Sequence, residues 1–137
     1  MMNKKIYPIG IQNFEYLRKG GYFYVDKTAL IYQLATTGKY YFLSRPRRFG
    51  KSLLISTIEA YFQGKKELFK GLTMETLEQK WIEYPILHLD LNAEKYDTPE
   101  RLDAILNDAL CTREKQYGKV SSETTHSLRF KGIIQRA

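Results

Sequence analysis

Four stretches of the chain repeat their apolar residues at helical spacing, and two short runs are apolar without alternation. After a turn at Gly20 and Gly21, Asp26 stands where a helix cap belongs. Leu30, Ile31, Leu34 and Ala35 then share one face up to about Thr36, and Gly38 stops the pattern. Residues 40–44 form a short aromatic-rich run, the signature of a strand covered on both faces. A loop over residues 45–49 follows. From Gly50, residues Leu54, Ile55, Ile58, Tyr61 and Phe62 recur at helical spacing, and Gly64 closes the helix, expected over residues 51–63. A mostly helical connection through Leu68, Phe69, Leu72, Leu77 and Trp81 leads to Pro85 and a second apolar run, expected as a strand over residues 86–91. These two strands, parallel and joined by a right-handed crossover through helix 51–63, would make one βαβ unit. Thr98 as cap, Pro99 at the first helical position and Gly118 as terminator then bracket a helix whose stripe is Leu102, Ile105, Leu106, Ala109 and Leu110. The last stretch, SLRFKGIIQRA, starts another helical pattern with Phe130, Ile133 and Ile134.

The 137 residues are the size of one domain and contain no repeat or low-complexity tract, so the chain reads as one module. No apolar stretch approaches the roughly 20 residues of a membrane span. The opening MMNKK lacks the apolar core of a secretory signal, which makes the cytoplasm the expected compartment and a membrane an unexpected partner. One cysteine, Cys111, excludes an internal disulfide or a multi-cysteine metal site. The net charge of +7 is unevenly spread: residues 1–66 carry 12 Lys/Arg against 3 Asp/Glu, and the remainder 10 against 12. Arg45, Arg47, Arg48 and Lys51 form the densest basic cluster, so an anionic partner, nucleotide or nucleic acid, is indicated.

That cluster lies in SRPRRFGKSLL, residues 44–54, between an expected strand and an expected helix. This is the context of a phosphate-binding loop. Backbone N–H groups of the first helical turn would converge on phosphate oxygens, assisted by about half a positive charge at the helix start. Gly50 lets the backbone approach closely, Lys51 would reach the β- and γ-phosphates, and the Ser52 hydroxyl would complete the coordination of Mg²⁺. The pattern departs from G-x-x-x-x-G-K-[ST] at its first glycine, where Arg45 stands. By itself the tripeptide also reads as a solvated basic turn.

SRPRRFGKSLL, with arginine in the first-glycine position, resembles the altered Walker A loop of the predicted AAA-ATPase-like family of bacteria. The resemblance extends to GGYFYVDKTALI (residues 20–31), AYFQGKKELFKGL (residues 60–72) and YPILHLDLN (residues 84–92). It implies a P-loop ATPase of the AAA/STAND type, commonly followed by a nuclease-like domain. The implied fold is α/β, an incomplete P-loop NTPase with a three-layer α/β/α core. It also implies that Arg45, Pro46, Arg47, Arg48, Phe49, Gly50, Lys51, Ser52 and Leu53 hold ATP, with Ser52 on Mg²⁺. The family's Walker B segment, an apolar strand ending in adjacent Asp and Glu, would fall beyond Ala137. The expectation is therefore the N-terminal part of the domain, truncated before Walker B, which binds ATP without hydrolysing it and contributes no catalytic residue. A missing C-terminal part or a self-dimer is the expected cover for the apolar surface this leaves.

Asp90, at the end of an apolar run, fits a magnesium aspartate loosely and a strand-end Asp bonded to backbone amides better. Asp26, Lys27 and Thr28 suit a helix cap or a position near the nucleotide base. His88, His126 and Cys111 lack partners that would define a site. The aromatics Tyr22, Phe23, Tyr24, Tyr40, Tyr41 and Phe42 fit a core better than a base-stacking surface. Two alternatives to the ATP-binding reading remain: a basic nucleic-acid-binding module gripping phosphates through Arg45, Arg47, Arg48 and Lys51, and an inactive truncated remnant.

Overall fold

A computed structural model describes residues 5–92, 95 and 97–137, so the reading of the opening MMNKK lies, except for Lys5, outside the described residues. The chain divides into two compact units, Met1–Ile86 and Leu87–Ala137.

The first unit contains α1 (Phe14–Lys19), α2 (Thr28–Thr37), α3 (Lys51–Phe62), a 3-10 turn (Lys66–Phe69) and α4 (Thr73–Leu77). Its core joins Phe14, Ile31, Ala60, Tyr61, Leu68, Phe69, Leu72 and Met74, all buried. Aromatic rings dominate it. Phe14 lies with its ring centre 5.0 Å from Phe69 and 5.2 Å from Tyr24, while Trp81 lies 5.2 Å from Phe69. Such pairs add about 0.5–1.5 kcal/mol each to the area they bury. Arg18 fixes the 3-10 turn by donating from Nε to the Leu68 carbonyl (2.7 Å) and from Nη2 to that of Lys70 (2.6 Å). Gly64 is required twice over: its φ is +66°, and a Cβ there would meet Glu83 Cγ at 2.9 Å and the Trp81 carbonyl at 3.1 Å.

Asp26 ties two helices together. One carboxylate oxygen accepts from the N–H (2.9 Å) and hydroxyl (2.6 Å) of Thr28 at the start of α2. The other accepts from the N–H (2.7 Å) and hydroxyl (2.8 Å) of Thr73 at the start of α4. Thr28, fully buried, passes the link on by accepting from the Met74 N–H at 3.0 Å. Asp26 therefore satisfies the first N–H of α2 from one residue ahead of the Lys27 N-cap, close to the capping role its sequence suggested, and it satisfies the first N–H of α4 as well.

The second unit is a hairpin of α5 (Pro99–Tyr117) and α6 (His126–Arg136). Its caps are those the sequence indicated for α5: Thr98 Oγ1 accepts from the Arg101 N–H, Pro99 opens the first turn, and Gly118 ends the helix at φ +88°. The seam is polar. The buried Arg129 guanidinium donates to both carboxylate oxygens of Glu114 (2.6 and 2.8 Å), to Asn107 Oδ1 (2.6 Å) and to Cys111 Sγ (3.2 Å). Hydrogen bonding from Arg129 holds the Glu114 carboxyl below its ordinary range, so the pair stays charged where it is buried.

The expected α/β fold is corrected by this structure. Among the described residues there is no β-strand, so neither the βαβ crossover nor a three-layer α/β/α core is formed. A helix closes its hydrogen bonds within one segment, whereas a strand needs a neighbour to complete its ladder. Residues 40–44 and 86–91 have no such neighbour. The first run leaves Tyr40 and Phe42 each 93% exposed, and in the second Leu89 and Leu91 are exposed. The core assignment of Tyr40, Tyr41 and Phe42 is overturned with it. Phe23 is also exposed, whereas Tyr24 packs against the core.

Burial would by itself raise the Asp26 pKa, but its four hydrogen bonds, led by that from the Thr28 hydroxyl, hold it at about 2 against an ordinary 3.8. Stability contributed by a lowered carboxyl is complete above the ordinary value and disappears as pH falls through the lowered one. Asp26→Ala should therefore cost about 1–2 kcal/mol in urea denaturation at neutral pH, since the carboxylate is solvent-exposed and partly screened. The variant should also lose less stability than the parent between about pH 4 and pH 2. Parallel acid limbs for the two proteins would contradict this role.

Candidate functional site

Helix α3 begins on a residue that only glycine adopts without strain. Gly50, its N-cap, has φ +76° and ψ 21°, and no side chain caps the helix. The first backbone bond of α3 runs from the Leu54 N–H to the Gly50 carbonyl at 2.9 Å. The N–H groups of Lys51, Ser52 and Leu53 therefore lie in the uncapped first turn, where a helix has donors to offer. A Cβ placed on Gly50 would meet nothing within 4 Å. Backbone conformation thus demands the glycine here, and the open space beside it leaves room for an anion.

These residues open onto a cavity of about 600 Å³ lined by Ile9, Gly10, Ile11, Gln12, Arg48, Gly50, Lys51, Ser52 and Leu53. Its volume is that of a small-molecule site. One wall is the start of α3 and its loop; the other is the segment that leads into α1. Gly10, at φ +70°, turns that segment. Ser56 holds the two walls together: its hydroxyl accepts from the Phe14 N–H at 2.9 Å and donates to the Leu53 carbonyl at 2.9 Å. Asn13 Oδ1 caps α1 by accepting from the Tyr16 N–H.

Lys51 Nζ donates to the Arg45 carbonyl at 2.7 Å and so closes the loop on itself. Arg47 and Arg48 form its turn, with Arg48 at φ +65°, a strained conformation for a residue with a Cβ. Of the nine residues singled out in the sequence, Arg48, Gly50, Lys51, Ser52 and Leu53 line the cavity, and Arg45, Pro46, Arg47 and Phe49 do not. Residues 9–12 escaped the sequence reading. Their one local signal is the Pro8–Gly10 turn, because they reach the loop only through tertiary packing.

Charge favours an anion. Between residues 27 and 58 the sequence has Lys27, Lys39, Arg45, Arg47, Arg48 and Lys51 and no acidic residue. The cavity lining likewise includes cations and no carboxylate. Asp90 is engaged locally, accepting from the Asn92 N–H at 2.8 Å, as a segment-end Asp does. No group of three or more His, Cys, Asp or Glu that could hold a metal occurs among the described residues. A smaller hollow of about 190 Å³ between α1 and α3 is lined by Glu15 among others. Its carboxylate is already bonded to Lys19 (2.6 Å) and Lys65 (2.7 Å).

Residues 8–137 match the family model of the Predicted AAA-ATPase, and the chain belongs to this AAA-ATPase-like family. It is also 36% identical over 137 residues to a protein of Azotobacter chroococcum mcd 1 described as an uncharacterized protein in the vnfD 5' region. The match covers 99% of this chain and 27% of that protein, so the chain spans about a quarter of its relative's length. No solved structure matches. No helix among the described residues is long and apolar enough to cross a membrane.

Gly50→Ala places a Cβ at a left-handed position and should cost about 1–2 kcal/mol, read as a lower Tm. Ser56→Ala removes the acceptor of the Phe14 N–H and should cost about 1 kcal/mol while accelerating hydrogen exchange of that amide. Unchanged exchange at Phe14 would show that the two walls are held by packing alone.

Proposed function

We infer that the first unit binds a magnesium nucleoside triphosphate, ATP, in the cavity at the start of α3. The observation that carries this reading is the uncapped first turn of α3 opening, with Arg48 and Lys51, onto a cavity without carboxylates. In the bound state the N–H groups of residues 51–53 would donate to phosphate oxygens. Lys51 would exchange its bond to the Arg45 carbonyl for the β- and γ-phosphates. The Ser52 hydroxyl, exposed at the cavity, would complete the coordination of Mg²⁺. Ile9 and Ile11 offer an apolar wall against which a base can lie. Family membership supports the same assignment, and a site for Mg-ATP suits the cytoplasm.

The lining provides a cradle and no more. Hydrolysis needs a positioned water, an acid that helps hold magnesium, and charge stabilisation at the γ-phosphate. With no carboxylate in the cavity, this chain is proposed to bind ATP without turning it over.

Titration calorimetry with Mg-ATP tests the reading. Lys51→Ala should weaken binding at least about tenfold, the worth of one charge-assisted hydrogen bond to phosphate. Arg47→Ala, outside the lining and exposed, should change it less than about threefold. No phosphate release is expected from the parent chain. Equal affinity for the parent and Lys51→Ala would refute the site, and steady hydrolysis lost in Lys51→Ala would refute the absence of turnover.

A further inference from the structure

Arg48 occupies a backbone position that suits glycine. Its φ of +65° is left-handed, and among the described residues only Trp81 shares this departure without being a glycine. A glycine would adopt the conformation freely, so the chain holds a strained turn and a guanidinium together where glycine would give the turn alone. Outliers of this kind gather at ligand clamps and persist only where the surroundings fix them. Here the bond from Lys51 Nζ to the Arg45 carbonyl, 2.7 Å long, spans the turn and fixes it. Of Arg45, Arg47 and Arg48, only Arg48 lines the cavity, and it shares with Lys51 the only positive charges of the lining. The two cations are differently equipped. Lys51 is a point charge on a flexible stem and is already bonded within the loop, whereas the Arg48 guanidinium is a planar fork bonded to no described residue.

We propose, resting on the reading that this cavity takes Mg-ATP, that Arg48 is its specificity-determining residue: the guanidinium holds the terminal phosphate and makes the site prefer a nucleoside triphosphate to a diphosphate. The N–H groups of residues 51–53, together with Lys51, serve the phosphates that both nucleotides share. The terminal phosphoryl group of a triphosphate brings further anionic oxygens, and Arg48 is the cation of the lining left to meet them. Its fork matches two phosphate oxygens at once, and no carboxylate in the lining competes for it. The strain at φ +65° keeps the fork at the cavity rather than at the position a relaxed turn would give it.

Titration calorimetry of the full chain with Mg-ATP and with Mg-ADP, paired with melts in the absence of nucleotide, tests the proposal. The parent should bind Mg-ATP at least about tenfold more tightly than Mg-ADP, the worth of one charge-assisted pair. Arg48→Gly should weaken Mg-ATP at least about tenfold and leave Mg-ADP within about threefold, which abolishes the preference. Its Tm should stay at or above that of the parent, because the strained φ is relieved. Arg48→Ala should lose the preference equally and melt below Arg48→Gly, since alanine retains the strain. Arg48→Lys keeps the charge without the fork and should show a preference of no more than about threefold. Arg47→Ala, outside the lining, should keep the full preference. Equal affinity of the parent for the two nucleotides, or a preference that survives in Arg48→Gly, would overturn the role of Arg48 and leave the phosphate site standing. Loss of both affinities in Arg48→Gly together with a lower Tm would overturn it too, by making Arg48 a structural residue. A parent that binds neither nucleotide would overturn the site and this role together.

Discussion

The Ser56 hydroxyl is the small contact on which the candidate site depends. It takes the Phe14 N–H at the start of α1 and returns its own proton to the Leu53 carbonyl, so two segments 42 residues apart meet at one atom. Phe14, fully buried against Phe69 and Tyr24, makes that meeting stable. The hydrogen bond supplies the register and the ring supplies most of the energy. Because α3 is anchored by its buried residues Thr57, Ala60 and Tyr61, its N-terminus stays free of protein partners. A rigid helix with an open end is what an anion site requires.

Polar groups do more in this fold than fill its surface. Asp26 joins α2 to α4 through four bonds, and Arg129 joins α5 to α6 through Glu114, Asn107 and Cys111. Both clamps satisfy nearly the full bonding capacity of a charged group. Short helices such as α1 and α4 are too brief to persist on propensity alone, so caps and tertiary contacts carry them.

What was legible in the sequence was what chemistry within a few residues decides. Thr98, Pro99 and Gly118 bracket α5 through bonds and dihedral limits of their own neighbourhood, and Gly50 marks the start of α3 in the same way. The strand assignments failed because a ladder is a property of two segments. Residues 40–44 and 86–91 have the composition of buried strands and lack the neighbour. The site divides along the same line. Gly50, Lys51 and Ser52 were visible as a motif, whereas residues 9–12 join them only through tertiary packing. The place of Asp26 at the start of α2 was visible, and its reach to Thr73, 47 residues away, was not.

The sharpest measurement is the amide NMR spectrum of the chain titrated with Mg-ATP. Shifts confined to the N–H groups of residues 50–53 and to residues 9–12, and absent in Lys51→Ala, are the predicted result. Shifts centred elsewhere, or an unchanged spectrum at millimolar nucleotide, would contradict a phosphate site at the start of α3.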